Sequence, residues 1–258
     1  MNCQRKVATN DVNVKGKCIY IFCILYATFF ILDESILVVG GDEDYLNPAV
    51  IYFNENGPTD FDRCQTGNYE KRAFAVGDFL DDKFVVCGGW GKNDVEKKDC
   101  QVIYETGSQS FDMSASGRSY ASSIKLNQST LWITGGYDSN LNDLNSTEFV
   151  TVNGTTFGVE LPITVYGHCM VQYQSDTILL IGGKQNGEWD SDMTWIIDLK
   201  NGFDFTEGPS LKEGRMYHSC GTMEDEYGNV LVIVAGGDVW MEPVEVLNTT
   251  LMKEWVEG

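Results

Sequence analysis

Histidine, cysteine and paired carboxylates are the side chains best able to do chemistry in this chain. There are two histidines, His168 and His218. They occupy equivalent places in the repeat set out below, which favours a strand-start residue that packs or hydrogen-bonds over a metal ligand. No HxxxH, CxxC, Walker loop or Gly-x-Ser-x-Gly element is present. The carboxylate groups Asp42-Glu43-Asp44 and Asp190…Asp192 fall in polar stretches and read as solvated acidic loops rather than acid/base dyads. Their spacing does not fit an EF-hand Ca²⁺ loop. The expectation is a chain with no catalytic residues, metal site or cofactor.

Cysteine is more informative. Cys87 directly precedes Gly88-Gly89 at the end of an apolar run and reads as a buried free thiol. Cys3, Cys18 and Cys23 would leave with the front end described below. That leaves Cys64, Cys100, Cys169 and Cys220 for up to two bridges. Cys169 and Cys220 sit on the innermost strands of adjacent units, one position out of register. Cys64 ends the first unit and Cys100 lies in the second. Sequence does not fix either pairing, and a secreted route would permit both.

The elements that must position these residues come from a chain of 258 residues, 43% apolar, with 27 Gly and five Pro. Such a composition excludes a disordered tail, a collagen or a coiled coil. Eighteen Lys+Arg against 38 Asp+Glu leave a net charge of −20. That surface repels phosphate, so nucleic acid and anionic membrane are poor partners. No apolar run reaches the ~18 residues of a membrane span. Lys15 and Lys17 precede an uncharged stretch over residues 18–32, which reads as a secretory signal cleaved after Ala27. A short signal anchor, or a purely folded role for the same residues, are the alternatives.

Five times an apolar, β-branched run ends in Gly-Gly: at Gly40-Gly41, Gly88-Gly89, Gly135-Gly136, Gly182-Gly183 and Gly236-Gly237, at intervals of 48, 47, 47 and 54. A polar loop, a second strand-like run, an Asn/Gly turn and an aromatic follow each pair. Those aromatics are Phe61, Phe111, Phe157, Phe205 and Trp255. Another short run precedes each pair across a hairpin turn. Four short strands in a unit of ~50 residues match a propeller blade. A lone four-stranded sheet cannot bury both faces, so blades must stack face to face. The glycines let inner strands crowd where blades converge, and the outer aromatic fills the widening wedge.

On the Gly-Gly runs, the third-strand aromatics Tyr52, Tyr104, Phe149 and Trp195, and the outer-strand aromatics, the chain resembles the kelch-repeat family over residues 27–258. The basic opening of a kelch unit appears as Arg72, Arg118 and Arg215; in the fourth unit Val165 stands in its place. The resemblance implies an all-β, kelch-type β-propeller with five four-stranded blades, approximately 28–64, 72–114, 118–161, 165–210 and 215–258. Kelch propellers usually have six or seven blades, so either five units close a narrow ring or the chain is a part of a larger one.

In a propeller, the loops after Gly-Gly share one face. That face would display Trp90, Tyr137, Trp189 and Trp240, with Arg72, Arg118 and Arg215 near the channel mouth. Aromatics and Arg are common anchors of protein contacts, and Arg on an acidic background would favour a carboxylate-bearing peptide or glycan. The alternative is that each Arg bridges neighbouring blades, as its repetition suggests. Sequons at Asn127, Asn145, Asn153 and Asn248 would carry glycan on an exported chain. The expected function is a secreted or lumenal, non-catalytic protein- or glycan-binding module. Its rivals are an intracellular kelch adaptor, of the actin-binding or ubiquitin-ligase receptor kind, and a kelch-fold sugar oxidase or epimerase. The oxidase would need a copper site of His and Tyr, which the sequence does not match.

Overall fold

Short runs of β-branched and aromatic residues, separated by Asp, Asn and Gly turns, leave their backbone N–H and C=O groups one economical solution: pairing with the next run. In the computed structural model of the chain they do this as successive antiparallel hairpins. The structure describes the backbone of the strands between residues 13 and 63, together with residues 72–91, 96–104, 107–237 and 243–258. The apolar segment 19–26, Cys64 and Trp240 lie outside the described residues.

Five four-stranded antiparallel sheets follow one another. A short pair, β1 (Asn13–Val14) and β2 (Lys17–Cys18), precedes them. The first sheet is β3 (Ala27–Leu32), β4 (Ser35–Gly40), β5 (Ala49–Asn54) and β6 (Gly57–Arg63). The second is β7 (Val76–Leu80), β8 (Lys83–Cys87), β9 (Asp99–Tyr104) and β10 (Gly107–Asp112). The third is β11 (Ser122–Asn127), β12 (Thr130–Thr134), β13 (Thr147–Thr151) and β14 (Gly154–Phe157). In the fourth, a two-residue pair, β15 (Val165–Tyr166) with β18 (Lys184–Gln185), flanks β16 (Cys169–Gln174), β17 (Thr177–Ile181), β19 (Thr194–Asp198) and β20 (Asp204–Glu207). The fifth is β21 (Ser219–Glu224), β22 (Val230–Ala235), β23 (Glu245–Asn248) and β24 (Trp255–Glu257). There is no helix among the described residues.

The core is divided into layers between sheets. On β12, Leu131 and Ile133 join Val85, Cys87 and Val102 of the second sheet. Trp132, between them in sequence, points the other way and packs with Met170, Ile178 and Leu180 of the fourth. On β17, Leu179 and Ile181 reverse sides again and meet Val232, Val234, Leu247 and Trp255 of the fifth. Period-two alternation thus gives β8, β12 and β17 two buried faces, which only stacked sheets provide. Each fully buried Leu or Ile contributes about 1.5–3 kcal/mol. Neighbouring sheets also meet through their first strands, β3 with β7, β7 with β11, β11 with β16 and β16 with β21. The arrangement is propeller-like.

Two expectations fail. Cys87 is not a free thiol: it is disulfide-bonded to Cys100, its registered partner across β8 and β9, with Cα atoms 4.0 Å apart. This also removes Cys100 as a partner for Cys64. Phe157 does not fill a wedge and is 70% exposed. It pairs with Glu148, whereas Phe205 and Trp255 pair with Ile197 and Leu247, one pleat further along the strand. Phe157 therefore lies at the rim. Trp132 supplies bulk at this seam, edge-on to Phe203 of the fourth unit with ring centroids 4.8 Å apart.

Candidate functional site

The loops after Gly-Gly and the segments entering each first strand converge at one end. Gly135 (φ 58°) and Gly136 (φ 103°) show why glycine is required there. Both occupy left-handed backbone, and a Cβ at Gly135 would collide with the Val165 carbonyl oxygen of the next unit. The close approach has a purpose. Gly89, Gly136 and Gly183 each donate an N–H to the next unit, at Arg118, Val165 and Arg215.

Arg72, Arg118 and Arg215 are buried, with no side-chain exposure. Each holds its own unit together rather than reaching across to a neighbour. Arg118 Nη1 donates to the carbonyls of Gly135 (2.8 Å) and Ser146 (2.7 Å), joining the ends of the second and third strands. Arg72 does the same at Gly88 and Asp99, and pairs with the Asp99 carboxylate at 2.9 Å. Arg215 takes the Gly236 and Pro243 carbonyls and Glu245 Oε1, at 2.6 Å. The bridge to the preceding unit is made by the glutamate. Glu148 accepts the N–H groups of Ser114 and Ala115, and Glu245 those of Lys212 and Glu213. These three arginines are engaged in the interior and present no guanidinium to a ligand.

The fourth unit has Val165 where the others have arginine, and the structure shows what replaces it. Gln185 Nε2 donates to Gly182 O (2.9 Å) and Met193 O (3.0 Å), the counterparts of Gly135 O and Ser146 O. Its Oε1 accepts from Trp195 Nε1 at 3.1 Å, and Trp195 sits where Glu148 does in the third unit.

Around the axis the same end is paved with aromatic rings. Phe74, Tyr120 and Tyr217, two residues after the three arginines, all have left-handed backbone (φ 57°, 54° and 57°), and Gly167 takes that place in the fourth unit (φ 65°). Such angles are strained for bulky residues, by about 1–3 kcal/mol each. A backbone chain fixes them: Tyr120 N–H to Phe74 O, Gly167 N–H to Tyr120 O, and Tyr217 N–H to Gly167 O at 2.7 Å. The expected residues Trp90, Tyr137 and Trp189 join this group. Trp90 is edge-on to Tyr120 at 5.5 Å, Tyr137 lies 5.3 Å from Tyr166, and Tyr166 links Tyr217 and Trp189, each at 6.3 Å. Trp189 is 62% exposed and Tyr217 39%. Lys184 Nζ lies 4.9 Å from the Trp189 ring centroid and 5.4 Å from that of Tyr166, 3.0 Å from Asp143 Oδ2. The Phe74, Tyr120 and Tyr217 positions were legible as a repeated aromatic after each Arg, a signal the sequence reading did not use.

The histidines lie just behind this pavement. His168 Nε2 is 2.8 Å from Thr134 Oγ1 of the preceding unit, and His218 packs beside Gly182. Both are held down to about 3, His168 by burial and His218 by burial and then by Arg215. They are neutral structural groups. Cys169 and Cys220 form a disulfide that ties β16 to β21 at the inner edge, with Cα atoms 6.0 Å apart. Among the described residues, no group of three His, Cys, Asp or Glu is placed to hold a metal ion.

The sequons divide between the two ends. Asn127, Asn153 and Asn248 end or follow strands at hairpin turns, at the end opposite Gly-Gly, and Asn127 and Asn153 are exposed. Asn145 is half-buried on the loop between β12 and β13. No helix among the described residues is long and apolar enough to cross a membrane. No family model matches the chain, and no curated protein matches it.

Proposed function

We propose that the chain is a kelch-type β-propeller, secreted or lumenal, that works as a non-catalytic binding module through its aromatic end. The observation that carries this reading is the continuous ring-to-ring surface from Trp90 to Trp189, seated on strained backbone and partly open to solvent. Strain of this kind persists where the surroundings over-determine it, and it clusters at ligand-binding places. Large rigid aromatics give contact area at low entropic cost. Two disulfides support an oxidising compartment, and the three hairpin sequons, Asn127, Asn153 and Asn248, lie at the end opposite the aromatic surface.

The test is a peptide and glycan array probed with the wild-type protein and with Trp189→Ala combined with Tyr217→Ala. Ligands of the wild type are expected to weaken at least tenfold in the variant, with an unchanged circular dichroism spectrum. Equal binding by the two proteins would refute the aromatic end as the site.

A further inference from the structure

The placement of charge at the aromatic end specifies what kind of partner it accepts, an inference that rests on the binding reading above. With the arginines buried, the charge that faces solvent comes from the loops. Residues 137–146 and 184–193, the described loops beside Tyr166 and Trp189, hold one lysine, Lys184, against five carboxylates, of which Glu188 and Asp192 are exposed and Asp143 and Asp190 half-buried. The aromatic rings present π faces, whose negative quadrupole attracts cations. One cation already occupies such a place. The Lys184 ammonium lies over both Trp189 and Tyr166, and Asp143 neutralises it.

We infer that exposed Trp189, together with Tyr166 and Asp143, which lie largely buried beside Lys184, receives a lysine or arginine side chain of a partner polypeptide once Lys184, an internal occupant which competes for the place, is displaced. The chemistry is complementary at each point. The ring faces take the cation's flat or methylene surface, and Asp143 supplies the counter-charge. Exposed Glu188 and Asp192 on the same loop add long-range attraction. Lys184 shields the pocket when it is empty and must be displaced when it is filled. An anionic ligand would gain Lys184 as a partner. A cationic ligand would gain from its removal. The two therefore predict opposite signs for one substitution.

The experiment measures affinity by isothermal titration calorimetry at physiological ionic strength, and follows the Trp189 indole N–H signal by NMR in the proteins that keep this tryptophan. Three probes are titrated: a blocked Gly-Lys-Gly-Arg-Gly peptide, the matching Gly-Glu-Gly-Asp-Gly peptide, and maltoheptaose. The basic peptide is expected to bind, to weaken at least tenfold in Trp189→Ala, and to tighten about threefold or more in Lys184→Met. Trp189→Ala leaves net charge unchanged, so it separates the site from general attraction to an acidic surface. Basic-peptide binding indifferent to both substitutions would overturn the inference. Binding of the acidic peptide or the oligosaccharide in preference, with dependence on Trp189, would overturn it while leaving the binding surface standing. No shift with any probe would count against the binding surface as well.

Discussion

Arg118 and Gln185 satisfy the same pair of carbonyls with different chemistry. A guanidinium offers five donors and brings a charge that needs a buried carboxylate, here Glu148. A carboxamide offers two donors and an acceptor, and it brings no charge. Trp195 in place of the glutamate is the matching change, since it offers one N–H to the amide oxygen. Gln185→Ala would strip donors from Gly182 O and Met193 O and leave the Trp195 N–H without its acceptor. We predict a loss of about 2–3 kcal/mol in urea unfolding, and no recovery when Val165→Arg is added alone, because beside Trp195 that guanidinium would have no buried carboxylate to pair with. A change within about 0.5 kcal/mol for Gln185→Ala would remove Gln185 from this role. Val165 was visible as a departure from the repeat. Its replacement was not, because Gln185 lies twenty residues downstream, in a loop whose register with the arginine exists only in the folded sheet.

At the scale of strands and sheets, the repeat was legible because each unit solves the same burial problem, so Gly-Gly, turn and apolar run recur with nearly fixed spacing. What the spacing obscured was cross-strand register. Cys87 and Cys100 face each other because the residue before Gly-Gly pairs with the second residue of the third strand. Cys87's apolar neighbours are equally compatible with a free thiol, so only the pairing distinguishes the two. Phe157 was misplaced for a related reason: an aromatic two residues along an outer strand keeps its face but leaves the wedge. The seams between sheets carry a pH dependence. His168 and His218 are buried at the joins of the third, fourth and fifth sheets, with folded-state values of about 3 against an ordinary 6.5. A histidine depressed in the fold binds fewer protons folded than unfolded between those values. Its contribution is therefore complete above about pH 6.5 and is lost as pH falls toward 3, by up to about 1.4 kcal/mol per pH unit for each group. Glu96, raised mainly by burial, acts in the opposite sense. Denaturant melts between pH 7 and 4.5 should show stability falling with acidification, and His168→Gln with His218→Gln should flatten that slope. An unaltered slope in the double variant would show that the seams are not what titrates.

The molecule as a whole rests on sheets that hide their apolar faces only against one another, spread from a shared inner edge, with a polar loop end and an aromatic end. The sequence carries the unit and its repetition. It does not carry the aromatic pavement as one surface, because Phe74, Tyr120 and Tyr217 belong to separate units and meet only around the axis. It also suggested an arginine-lined mouth, which burial converts into internal bracing. The disulfide pattern tests this arrangement most directly. Cys169 and Cys220 are separated by 51 residues and meet only if the first strands of the fourth and fifth units lie side by side. Closing a loop of that length is worth about 4 kcal/mol in the chain-entropy treatment. Peptide mapping of the purified, non-reduced protein by mass spectrometry is predicted to yield two linked pairs, Cys169 with Cys220 and Cys87 with Cys100. Recovery of Cys169 or Cys220 joined to any other cysteine, or both still alkylatable after oxidative refolding, would contradict the stacked-sheet account.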